Sequence, residues 1–129
     1  MKNSMKLISI LLLFLFSTAC VDIGVGQSAN PESQYPVKNG VAEGLFDRSY
    51  DSCWQITEEY VNSIDGQLTY HSQTEGVVKI DFAEGGKAIF KVEKVTNRAS
   101  KVSVRAYKYA YPRNDIASAY FEPLSEMLR

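Results

Sequence analysis

The chain is poor in the residues that catalysis and metal binding draw on. Its 129 residues include one histidine, His71, and two cysteines, Cys20 and Cys53. So few nitrogen and sulfur donors cannot build a typical four-ligand zinc site. His71 adjoins Ser72 on an expected strand, where neighbouring side chains point to opposite faces, which argues against a Ser-His catalytic pair. Glu58 and Glu59 sit side by side on an expected helix and diverge, as on a solvated face. Gly85-Gly86-Lys87 lacks the spacing of a phosphate loop and leads into a strand. Basic charge is not in excess, with 14 Lys and Arg against 15 Asp and Glu, so no nucleic-acid partner is expected. The apolar run Leu7 to Phe16 is about half of the roughly 20 residues that cross a bilayer. No catalytic residue, metal or cofactor is therefore expected, and the chain does not read as an enzyme.

The informative segment is at the start. Lys2 and Lys6 lead into the apolar run, followed by the small residues Ser17-Thr18-Ala19 and then Cys20. A basic start, a short apolar stretch and a small-residue cleavage site make a secretory signal, and Met5-Lys6 could equally be its start. Cys20 after the small residues resembles the lipobox of bacterial lipoproteins, with Ser17 where leucine is usual. The resemblance implies that residues 1–19 are a lipoprotein signal peptide. It further implies that Cys20 is diacylated, by palmitate or a similar chain, and anchors the mature protein to a membrane. Each buried methylene contributes about 0.8 kcal/mol, so two or three chains hold where one is marginal. Val21 stands where aspartate usually signals inner-membrane retention, which resembles an outer-membrane address on the periplasmic side.

Without the leader's two lysines, 12 of the 14 basic side chains remain, against 15 acidic. Cys53 would then be a lone thiol, read as a buried core residue on a helix. Residues 20–40 carry the lipidated end and a linker with Gly24, Gly26, Ser28, Pro31, Ser33 and Pro36, the composition of a flexible tether. Residues 41–129 remain for one modest domain.

Within it, Val41 to Phe46 reads as a strand and Ser49 as the N-cap of a helix to about Ile64. Tyr50, Trp54, Thr57, Val61 and Ile64 recur at spacings of four and three, one helical face, with Cys53 and Tyr60 beside it. Gly66 is expected in the left-handed conformation at its end. Strands follow over 68–72, 77–83, 88–95 and 101–109, with a Gly85-Gly86 hairpin between the middle pair. Asn114 or Asp115 should cap a last helix bearing Ile116, Tyr120, Leu124 and Leu128, kinked by Pro123 near 119–121. The order β-α-β-β-β-β-α predicts an α+β fold, an antiparallel sheet of about five strands with two helices on one face.

Ser49-Tyr50-Asp51 with Trp54 and Thr57, Glu75-Gly76-Val77-Val78 and Lys101-Val102-Ser103-Val104-Arg105 resemble a family of small bacterial lipoproteins. That family is a domain of unknown function, so the resemblance implies the fold over 41–129 and no site residue. The aromatic helix followed by a glycine-led strand is also similar to the helix-grip domains of the assembly lipoprotein BamC, as fold analogy only.

One surface remains. The outward positions of the last strand, Arg105, Tyr107 and Tyr109, continue into Tyr111 and Arg113. Tyr and Arg are enriched at interface centres, although tyrosines also simply cover sheets. Arg105, Tyr107, Tyr109 and Tyr111 are the candidate partner-binding residues, the partner being an envelope protein or cell-wall glycan. The leading expectation is a lipid-anchored, non-catalytic interaction or structural module of the cell envelope. A carrier of a small hydrophobic ligand between helix and sheet is the alternative and would need a void between Trp54 and Phe90. An envelope hydrolase would need groups converging on His71.

Overall fold

The computed structural model describes residues 35–129. The signal segment, Cys20 and the linker as far as residue 34 lie outside the described residues. The described chain is α+β, as its element order predicts, with two more strands than expected. The elements are β1 (Val37–Lys38), β2 (Val41–Phe46), α1 (Tyr50–Ser63), β3 (Gln67–Ser72), β4 (Val77–Asp81), β5 (Gly86–Thr96), β6 (Ala99–Lys108), β7 (Tyr111–Pro112) and α2 (Asn114–Leu128). The sheet is antiparallel throughout in the order β1-β2-β6-β5-β4-β3, with β7 also paired to β6.

The additional strands arise from two tight turns. Asn39 and Gly40 have φ of 55° and 76°, which folds Val37–Lys38 back on Val41–Ala42. Residues 35–40, part of the expected linker, therefore belong to the folded unit. At the other end, Tyr109 and Ala110 have φ of 51° and 69°, and Lys108 pairs with Tyr111 across them. Both are two-residue hairpins with left-handed central residues, the geometry that suits the strand twist. Pro112 does not simply end the strand before it; it lies opposite Tyr107 in the added one. Between β4 and β5 the left-handed pair is Glu84 (62°) and Gly85 (74°), not the two glycines.

One face of the sheet is covered. Ala42, Phe46, Val78, Ile80, Ala88, Phe90, Val92, Val102, Val104 and Ala106 are buried there with Cys53, Trp54, Tyr60 and Val61 of α1. From α2 come Ala117, Phe121, Leu124 and Leu128. The alternation along β6 and the stripe on α1 thus bury as the sequence pattern implies. Ser49 caps α1, its side chain accepting from the Ser52 N–H at 3.2 Å.

Four details differ from expectation. Gly66 has no positive φ; a Cβ there would stand 2.5 Å from Ile80 Cγ2, so close packing is what requires glycine. Asn114 is the first residue of α2, and its Oδ1 accepts the Gly40 N–H at 2.7 Å instead of capping the helix. Asp115 grips the Arg113 guanidinium through two hydrogen bonds of 2.9 and 2.7 Å. The helix also runs unbroken past Pro123. The carbonyl that proline leaves without a donor belongs to Ala119, an exposed position where solvent can serve it. The C-terminal end of α2, which has no basic residue in its last turn, is met by Arg48. Arg48 donates to the carbonyls of Leu128 (2.7 Å) and Arg129 (3.2 Å), a cation placed on the negative end of a helix.

Candidate functional site

With both helices on one side, the opposite sheet face has no covering layer among the described residues. Strand alternation decides which side chains it carries, and register decides their neighbours. Val41 lies opposite Arg105, Arg105 opposite Ile89, Ile89 opposite Lys79, and Lys79 opposite Tyr70. The next row runs Pro112, Tyr107, Lys87, Asp81, Gln67. On the other side the row is Glu43, Ser103, Lys91, Val77, Ser72. Ile89 therefore has a cation on each of its four sides: Lys79 and Arg105 across the sheet, Lys87 and Lys91 along its own strand.

The charges divide this face into two halves. At one end Glu93 accepts from Lys91 and Lys101, both at 3.1 Å, and Lys101 also reaches Glu43 at 3.8 Å. These bonds hold the Glu93 carboxyl below the usual carboxylate range and raise Lys101. At the other end no carboxylate among the described residues pairs with Lys79, Lys87 or Arg105. Lys79 instead lies 5.3 Å from the centre of the Tyr70 ring, and Arg105 Nη1 donates to the Tyr107 hydroxyl at 3.4 Å. The Tyr70 hydroxyl donates to Glu75 at 2.6 Å, a bond that raises its pKa. Two grooves of about 600 and 490 Å³ run over this face. They share Lys79 and Ile89, so they form one trough crossing β6, β5 and β4.

Of the four surface residues read from the sequence, the structure brings two together. Arg105 and Tyr107 share the uncovered face. Tyr109 sits in the β6–β7 turn with its ring against Gly85, where an added Cβ would come within 2.6 Å of it. Tyr111 is opposite Lys108, whose side the helices occupy, and is 73% exposed. The turn at Tyr109 and Ala110 interrupts the alternation on which the longer stripe depended. Lys79, Lys87 and Tyr70, which sequence reading passed over, complete the site. Their positions follow from register across three strands, which periodicity within one strand does not contain.

The remaining chemistry-bearing groups lie on the helix side. His71 Nε2 is 3.1 Å from Glu58 Oε2, and its ring centre is 5.3 Å from that of Trp54. Ser72 Oγ is engaged elsewhere, accepting the Glu75 N–H at 3.3 Å. Cys53 is fully buried, and burial pushes its thiol up against the opposing effects of Ser100 and Arg48. Trp54 and Phe90, between which a carrier's void would open, belong to one buried cluster. Among the described residues no three His, Cys, Asp or Glu side chains gather as a metal site, and no helix is long and apolar enough to cross a membrane.

These features define a two-layer α+β domain presenting one basic, aromatic sheet face. No described protein family and no curated protein matches the chain. Among solved structures, it is similar to a conserved protein of unknown function from Enterococcus faecalis, at 10% identity and a TM-score of 0.46. That likeness covers 79% of this chain and 77% of the other, and at such distance it transfers no function.

Proposed function

We propose that this protein is a lipid-anchored module of the bacterial cell envelope that works by docking a partner on its uncovered sheet face, without catalysis. The observation that carries this is the trough around Ile89, where three cations without carboxylate partners stand beside Tyr70 and Tyr107. Such cations, held at fixed spacing by a hydrogen-bonded sheet, are preorganised for an external ligand. Attachment through Cys20 to the periplasmic side of an outer membrane is supported by the basic start, the short apolar run and Ser17-Thr18-Ala19 before the cysteine. The domain's ordered chain begins by Tyr35, which leaves 15 residues from Cys20 as a tether. A flexible tether of that length has an end-to-end distance of about 20 Å, which keeps the domain near its membrane.

A photo-crosslinking residue at Tyr107 should capture an envelope component in cells, and the same residue at Gln55, exposed on α1, should not. Adding Arg105→Glu should remove the product from position 107. Equal capture from both positions would refute docking at this face.

A further inference from the structure

We propose that the trough around Ile89 binds an anionic glycan strand, a chain of sugar rings bearing carboxylate or phosphate groups. This rests on the uncovered face being the docking surface and goes on to name its partner's chemistry. Adjacent strands are about 5 Å apart and alternate residues on one strand about 7 Å, so Arg105 and Lys79 stand about 10 Å apart at their backbones. Lys87 lies between them, offset by one row. The three free cations thus zigzag across the strands, along the direction of the trough rather than clustering at a point. An extended polyanion matches that line.

Charge pattern separates this partner from the two other polyanions an envelope offers. A protein interface wants a contiguous apolar centre and is depleted in lysine. Here the central apolar residue, Ile89, has three lysines and an arginine as its four neighbours. A bilayer is flat and would meet the whole face, including Glu43, Glu75, Asp81 and Glu93, which nearly cancel its five cations. A strand lying in the trough meets the free cations and avoids the neutralised end. The rings of Tyr70 and Tyr107 flank this path and offer apolar faces to sugar rings. Strands β4, β5 and β6 are each paired on both sides, so their backbone groups are already satisfied and recognition falls to side chains.

The test uses the full chain in a neutral detergent, titrated with polygalacturonate and with uncharged dextran at two salt concentrations. Polygalacturonate should bind and dextran should not, with affinity falling as salt rises. Lys79→Gln and Arg105→Gln should each weaken binding several-fold. The triple variant with Lys87→Gln should weaken it more than tenfold while its circular dichroism stays that of the wild type. Lys101→Gln should change binding less than twofold, because Lys101 is already engaged by Glu93 and Glu43. Salt-independent binding, or equal binding by a folded triple variant, would overturn the proposal. So would tighter binding of poly-glutamate or of micelles doped with phosphatidylglycerol, which would assign the face to an acidic protein segment or a bilayer. If polygalacturonate fails to bind while a crosslinker at Tyr107 still captures an envelope component, the glycan is wrong and the docking face stands. If both fail, both fall.

Discussion

Replacing Gly76 by alanine should cost more than any other single methyl group added at the base of the docking face. Gly76 has φ of +71°, and an added Cβ would enter the van der Waals shell of the Val92 carbonyl oxygen and come within 2.8 Å of Tyr50 Oη. The same residue closes the β3–β4 turn through its N–H to Ser72 O (2.9 Å) and accepts the Val92 N–H on its carbonyl (2.8 Å). Tyr50, the first residue of α1, donates its hydroxyl to Gln73 O in this turn. An L-residue in the left-handed region costs about 1–2 kcal/mol. Displacing Val92 forfeits a hydrogen bond worth about 1 kcal/mol. The expected loss is about 2–3 kcal/mol, a drop in melting temperature of roughly 10–20 °C for a domain of this size. Urea unfolding followed by circular dichroism measures it, with an unchanged slope showing that stability alone has moved. Because the turn sets Glu75 and Val77 beside Tyr70, glycan binding should weaken in parallel. A loss below about 1 kcal/mol would refute the strained, crowded turn described here.

Trp54 gives a second test, because its buried Nε1–H finds no acceptor among the described residues. Trp54→Ala should cost about 3–5 kcal/mol. Trp54→Phe removes an uncompensated donor worth about 1–3 kcal/mol, so it should stay within about 1 kcal/mol of the wild type despite the lost volume. Equal losses in the two variants would mean that the indole N–H is satisfied. Tyr60 supplies the pH dependence. Burial, with a lesser effect of Tyr120, pushes its phenol from 10.0 up to about 12. A folded-state value above the unfolded one means stability fully present below pH 10 and lost as pH rises toward 12, about 2–3 kcal/mol in all. Tyr60→Phe should flatten that part of the stability–pH curve, and an unchanged curve would assign the alkaline loss to other groups.

Much of the covered face was legible in the sequence. Ser49 announced α1, and the spacing of Tyr50, Trp54, Thr57 and Val61 marked the side it buries. Alternation through Val102, Val104 and Ala106 marked the core side of β6. The β1–β2 hairpin also had a signal, Asn39-Gly40, the pair that left-handed two-residue turns favour. Its strands are so short and its surroundings so linker-like that composition masked it. The turn at Tyr109 and Ala110 had no such signal, since neither residue prefers positive φ. Only pairing to Lys108 and the contact with Gly85 hold it there. The candidate site was half legible for the same reason. Arg105 and Tyr107 stand out along one strand, whereas Lys79, Lys87 and Tyr70 join them only through the registers of β3 to β6. Pro123 misled because a missing donor matters less on an exposed helix face than a pattern can reveal.

The most direct measurement is the intact mass of the exported, membrane-extracted protein, with fragmentation of its N-terminal peptide. Attachment through Cys20 predicts that residues 1–19 are gone and that Cys20 carries a thioether-linked diacylglycerol, which Cys20→Ser would lose together with membrane retention. An unmodified thiol at position 20 would contradict the anchor, and the domain would then have to reach its partner unattached.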